Sequence, residues 1–363
     1  MRVSSRNPRS LSLAVPVLAA WLALTFPAGA QLEPLRAAAE AGDLEAQNAL
    51  GLAYRNGRAV PQDYQTALNW FRKAAERGHA PAQRNLAQMY LDGRGVKADP
   101  AEAVRWLRKA AEQNFAPAQS LLGALLAWNP ALTNLQEAVV WLRRAAENNY
   151  AEAMDLLGLL YMEGRGVPQD YAEAARWFRK AAEQDYASAE HRLAVLHLEG
   201  KGVPQDDAEA LKWVEQAANQ NYAAALETLG WMHMTGRGVP QDFAKAASLL
   251  RKAADQNYAA AQNNLGKLYE TGRGVPQDFA EAARLYRLAA ERDYGGAQNN
   301  LALLYARGQG VPRDPVEAAK WFALAERHGD TNGADVRAEI LRELTPEQRA
   351  EVEKRIREFK AKP

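Results

Sequence analysis

The sequence predicts an all-α protein, an array of paired helices stacked one upon the next and closed by a helix or two at each end. Three observations carry the prediction. A unit of about 36 residues recurs eight times between Glu45 and Asp330. Within each unit, helical spacing of alanine and leucine is interrupted by a glycine turn and then resumes. A tryptophan also returns at one register, at Trp70, Trp106, Trp141, Trp177, Trp213 and Trp321, with Leu249 and Leu285 in the remaining two copies. A period in this range marks supersecondary units, none of which can bury its apolar face alone, so each folds against its neighbours. Such arrays bind; they seldom catalyse.

Residues 1–30 differ from everything after them. Arg2, Arg6 and Arg9 give a positive start, Leu11 to Pro27 a short apolar stretch, and Ala28-Gly29-Ala30 a small-residue cleavage site, which together predict a secretory signal peptide cut after Ala30. The stretch is shorter than the roughly 20 residues of a spanning helix and contains Pro16, so no membrane span is expected once it is removed. The expected location is periplasmic or secreted. Removing those three arginines would take the formal charge from +1 to −2, which offers no basis for nucleic-acid binding. There is no cysteine, so stability must come from packing and thiolate chemistry is excluded.

Residues 31–44 read as a capping helix, because Leu35 to Asp43 resembles the tail of a second helix. Residues 45–330 form the array, best seen in the copy from Glu152 to Ala187. There Ala153, Leu156, Leu157, Leu160 and Tyr161 predict the first helix, and Gly158 permits close approach of a neighbour. Gly164 ends it as a glycine able to take positive φ, and Asp170 with Glu173 three residues on begins the second as a capping pair. The equivalent aspartates are Asp63, Asp99, Asp206, Asp242, Asp278 and Asp314, twice followed by the helix-opening Pro100 and Pro315. In the second helix Ala174, Ala181 and Ala182 let backbones approach, and the recurrent tryptophan is expected in the core. Residues 331–363 give two further helices, Ala334 to Leu344 and Pro346 to Lys360, the latter opened by Thr345 and Gln348.

The A-x-Q-x-x-L-G-x-x-Y first helix, the G-x-G-V-x-x-D turn and the A-x-x-W-x-x-x-A-A second helix resemble the Sel1-like repeat family, a relative of the tetratricopeptide repeat. The resemblance covers about four fifths of the chain. It implies a right-handed α/α superhelical solenoid whose surface scaffolds protein complexes, without naming the partner. Relatives with export signals include periplasmic regulators of sensor kinases and assembly factors for secreted polysaccharide. Some cysteine-rich relatives have been connected with β-lactams, but this chain lacks both the cysteines and a serine motif. No cofactor or metal spacing is present, and His197 and His233 stand where other copies have tyrosine.

Candidate contacts fall where the repeat departs from itself. In the third copy the glycine turn becomes Ala127 to Asn134, which places Trp128 in a turn as either a plug for the altered loop or an anchor for a partner. With Glu152 as register 1 of its helix, registers 4, 8 and 11 fall opposite the core positions at 100° per residue. Register 4 holds Arg84, His191 and Glu227, register 8 Trp231 and Lys267, register 11 Met162, Leu198 and Met234. These form a variable groove for a protein segment, unless packing between units buries register 11. Arg58, Arg94, Arg165, Lys201, Arg237 and Arg273 recur in the turns, either as an edge for an anionic polysaccharide or as neutralisers of nearby carboxylates and helix C-terminal carbonyls.

Overall fold

The computed structural model describes residues 32–362. Among these residues there are nineteen helices and no strand. They form two compact units, one ending at Asn148 and the other beginning at Asn149.

The first unit starts with the capping helix Leu32–Glu40. Repeat 1 pairs Leu44–Asn56 with Tyr64–Glu76, repeat 2 pairs Ala80–Asp92 with Pro100–Glu112, and repeat 3 pairs Ala116–Trp128 with Leu135–Glu147. In the second unit repeat 4 pairs Ala151–Glu163 with Tyr171–Ala182, repeat 5 Ala187–Glu199 with Asp207–Asn219, and repeat 6 Ala223–Thr235 with Phe243–Asp255. Repeat 7 pairs Ala259–Thr271 with Phe279–Glu291, and repeat 8 Gly295–Arg307 with Pro315–Arg327. Ala334–Glu343 and Pro346–Glu358 follow, the second with a capping box closed by Thr345 and Gln348. Within each unit helices pack on their neighbours in the chain, the arrangement of an α-helical solenoid.

The capping expected from sequence is present at each second helix. Asp63, Asp99, Asp170, Asp206, Asp242, Asp278 and Asp314, and Asn134 in the broken copy, all accept from backbone N–H groups in the first turn. This satisfies donors that a helix start leaves without intrahelical partners. Two glycine classes are set by space. The Cβ of an alanine at Gly158 would lie 2.7 Å from the Phe178 ring, so the pair of helices in one repeat could not close. The second turn glycine of a repeat reaches back to the repeat before it. At Gly202, with φ +69°, an added Cβ would meet the Tyr171 carbonyl carbon at 2.2 Å.

The core differs from the sequence expectation in one respect. Trp141, Trp213 and Trp321 are buried as expected, but Trp70, Trp106 and Trp177 are only half-buried, whereas the residue after the tryptophan is enclosed in every copy: Phe71, Leu107, Leu142, Phe178, Val214, Leu250, Tyr286 and Phe322 are each at most 1% exposed. The tryptophan instead lies over the seam between successive repeats, as Trp106 does against the cluster of Phe71, Ala75 and Leu86. A cation three residues on, or one residue before, covers the ring: Lys109 sits 4.1 Å from the Trp106 centroid, Lys180 4.3 Å from Trp177 and Lys320 3.9 Å from Trp321.

Candidate interaction surface

Successive first helices are joined by two sets of buried polar contacts that the sequence reading missed. The register 3 glutamine donates to the end of the preceding repeat's second helix, as in Gln83 to the Ala75 carbonyl at 3.0 Å and Gln262 to that of Ala254 at 3.2 Å. Gln47, Gln119 and Gln298 do the same for Ala39, Ala111 and Ala290. These bonds take carbonyls that a helix end leaves open. The second set links register 4 of one repeat to register 5 of the next. In the first unit Asn85 donates to Asn48 at 2.8 Å. In the second, Arg192 donates to Asp155 at 3.1 Å, His191 meets the Thr228 hydroxyl at 3.0 Å, Asn264 donates to Glu227 at 2.7 Å and Asn300 to Asn263 at 2.9 Å. The signal was in the sequence as two adjacent, varying polar positions.

These contacts place the sequence candidates. His191 and Glu227 are tied to Thr228 and Asn264 between repeats. Burial pushes the Glu227 carboxyl above the ordinary range, and it holds the His191 imidazole down at about 4, with Arg192 adding to the effect. Arg84 has register 5 of repeat 3, Leu121, where a partner would be, and its Nε is buried without a hydrogen bond. Leu198 is corrected out of the surface: it is 6% exposed, and its carbonyl accepts from Arg237. Met234 packs against the core of repeats 6 and 7, and Met162 is half-buried. The physical reason is that a helix flanked on both sides keeps only a narrow free strip, centred on registers 8 and 12, while registers 4, 5 and 11 turn toward the neighbouring repeats.

On that strip Trp231 is half-buried at register 8, Lys267 is exposed at the same register, and Trp128 is half-buried at register 12, where other repeats are mostly polar or charged. Arg237 holds Trp231, its guanidinium carbon 5.7 Å from the ring centroid and its Nε 2.9 Å from Asp207. In the second unit half-buried tyrosines, Tyr186, Tyr222, Tyr258 and Tyr294, stand one before each first helix of repeats 5 to 8. Burial raises the hydroxyl pKa values of Tyr186, Tyr258 and Tyr294, to about 12 for Tyr186, and Asp155 or Glu227 adds to the rise.

The turn cations are engaged within the fold. Lys201 pairs with Glu199 at 2.8 Å and Arg237 with Asp207, whereas Arg94 lies over the Tyr64 ring and Arg273 over Phe243, each 5.5 Å from the centroid. Among the described residues no cluster of three or more metal-ligating side chains occurs, and no helix is long and apolar enough to cross a membrane. The expected signal peptide lies outside the described residues.

Eight successive stretches, 44–79, 80–115, 116–150, 151–186, 187–222, 223–258, 259–294 and 296–330, match the Sel1 repeat. The chain belongs to the Sel1 repeat family. Among solved structures, a Sel1 repeat protein from Oxalobacter formigenes is 31% identical with a TM-score of 0.63, over 95% of this chain and 98% of that one. A protective antigen present in uropathogenic Escherichia coli strains is 28% identical with a TM-score of 0.54, over 91% and 94% of the two chains. A search of curated proteins gave no match. Sel1 repeats generally mediate protein–protein interaction and are generally non-catalytic, which gives this chain the coarse function of an interaction scaffold.

Proposed function

We propose that this Sel1 repeat protein is an exported scaffold or regulator of the bacterial cell envelope, which binds a segment of a protein partner along the first-helix strip of repeats 4 to 7. The observation that supports this most is Trp231, a half-buried aromatic at register 8, where Lys267 stands in the next repeat, together with the half-buried Tyr186, Tyr222, Tyr258 and Tyr294 that precede the first helices of repeats 5 to 8. Aromatic rings of this kind dominate the energetics of protein interfaces. Export rests on the composition of residues 1–30, and similarity to a protective antigen is consistent with it.

The test is capture of partners from a periplasmic extract by residues 31–363, followed by binding measurements with Trp231→Ala and Tyr222→Ala. Loss of about tenfold or more in affinity, typical of a hot-spot aromatic, is expected with little change in melting temperature. Unchanged affinity in both folded variants overturns the strip. Expression of the whole chain in a Gram-negative host tests export: the product is expected in the periplasm with Gln31 as its first residue, and a cytoplasmic chain that keeps Met1 overturns it.

A further inference from the structure

The joint between repeats 4 and 5 carries a carboxyl where five other joints carry an amide. The register 3 glutamines Gln47, Gln83, Gln119, Gln262 and Gln298 each donate to the carbonyl eight residues back. At register 3 of repeat 5 stands Glu190, whose equivalent carbonyl is that of Ala182, and it is 0% exposed. Repeats 2 and 3 show what each end of such a side chain faces. The Gln83 oxygen accepts from Gln113 at 2.8 Å while its nitrogen donates to the Ala75 carbonyl. The Gln119 oxygen accepts from Asn148 at 3.5 Å while its nitrogen donates to the Ala111 carbonyl and to the Asn114 side chain. In repeat 5 Gln220, at the same helix end as Gln113 and Asn148, donates to Glu190 Oε2 at 2.9 Å. Glu190 Oε1 is thus left in the place of the amide nitrogen, buried and without a hydrogen-bond partner. Asp185 holds the position from which Asn114 and Asp293 accept from the glutamine at 3.2 and 2.9 Å. An ionised Glu190 would therefore set a buried oxygen toward two acceptors, a carbonyl and a carboxylate, with no donor among them.

We propose that Glu190 carries a proton in the folded protein and donates it across the joint to the Ala182 carbonyl, with Asp185 beside it, so that repeats 4 and 5 are held by a latch that closes in acid and weakens as the carboxyl ionises. One proton restores the donor that glutamine supplies at the other joints. Burial lifts the Glu190 carboxyl above the ordinary range, Asp185 lifts it further, and the bond from Gln220 opposes them. On the first helices at this joint Arg192 donates to Asp155 and His191 meets Thr228, so these groups are engaged elsewhere. Because the folded state holds the proton more tightly than the unfolded chain, the contribution of the latch is whole below the unfolded value of about 4.3 and is lost as pH rises through the folded value. The latch rests on packing between repeats and needs no partner on the strip.

The test follows the side-chain carboxyl carbon of Glu190 by NMR as pH is varied in the unaltered protein, with Glu190→Gln identifying the resonance by its loss. A midpoint clearly above the ordinary glutamate value of about 4.3 is expected, and a midpoint at or below it overturns the proposal. Urea midpoints of the two proteins then test the latch, because Glu190→Gln supplies the donor at every pH. The unfolding constant of the unaltered protein should rise relative to that of the variant by roughly tenfold for each pH unit between about 4.3 and the measured Glu190 midpoint, and no further above it. Above that midpoint, amide exchange in the helix Ala187–Glu199 should be faster in the unaltered protein than in the variant. A stability difference that stays constant with pH, or equal exchange in the two proteins, overturns the latch. If Glu190→Gln does not fold, the carboxyl midpoint of the unaltered protein, assigned through its backbone, decides alone.

Discussion

Mild acid should weaken this protein through one buried histidine. His191 sits between repeats 5 and 6, with Nε2 3.0 Å from the Thr228 hydroxyl and its ring 5.7 Å from that of Tyr222. Burial disfavours the imidazolium and Arg192 repels it, so the folded pKa is held at about 4. In the unfolded chain the group titrates near 6.5. Between those two values the unfolded state takes up a proton that the folded state refuses, so stability falls as pH drops through 6.5 and the loss is complete near 4. At about 1.4 kcal/mol per pKa unit the full loss is roughly 3 kcal/mol, and about 2 kcal/mol of it has occurred by pH 5. The buried acids Asp155, Glu190 and Glu227 shift upward, so they favour the folded state as they protonate and act in the opposite sense. His191→Gln keeps a polar partner for Thr228 and removes the titration. Urea midpoints of both proteins at pH 7.5 and 5.0 isolate the term, because every other group is common to both. The unaltered protein should lose about 2 kcal/mol more than the variant over this interval. An equal loss in the two would refute the argument.

The remaining predictions concern packing and turns. Phe178→Ala should destabilise by about 3–5 kcal/mol in chemical denaturation, because the ring is fully enclosed, whereas Trp177→Ala on the half-buried seam should cost roughly 2 kcal/mol. A larger loss for the tryptophan would reverse this reading of the core. Gly202→Ala should cost more than about 2 kcal/mol, since strain at φ +69° adds to a clash with the Tyr171 backbone, and Gly329→Ala, at φ +77° with open space around it, should cost about 1 kcal/mol. Equal melting temperatures for these two variants would show that close approach between repeats is not what selects glycine in the turn.

The helices, their caps and their turns were legible in the sequence because they depend on residues close in the chain. Asp170 caps its own helix and Gly164 ends the one before it, so each copy of the repeat confirms the assignment. What was not legible depends on rotation about the helix axis. A wheel with one apolar arc puts registers 4 and 11 opposite the core, but a helix in an array has a neighbour on either side, and Leu198 and His191 face one of them. The tryptophan was placed correctly in three copies, at Trp141, Trp213 and Trp321, and too deep in the other three for a related reason. Its recurrence showed that the same space must be filled each time, but not whether that space lies inside a repeat, where Phe178 is, or over the seam, where Trp177 is.

The contacts between registers 4 and 5 also bear on how such an array can lengthen. A duplicated repeat sets its own register 5 residue against its own register 4 residue. In repeat 7 these are Asn264 and Asn263, which would recreate the asparagine pair already made with Asn300. In repeat 4 they are Leu156 and Asp155, and in repeat 5 Arg192 and His191. Copying repeat 4 would leave the Asp155 carboxylate buried without Arg192, at a cost of about 3–5 kcal/mol for a buried charge, and copying repeat 5 would set the neutral His191 imidazole against an arginine in place of the Thr228 hydroxyl. Growth by tandem duplication is therefore open at the asparagine joints and closed at the Asp155 and His191 joints, so those repeats are fixed in number and order.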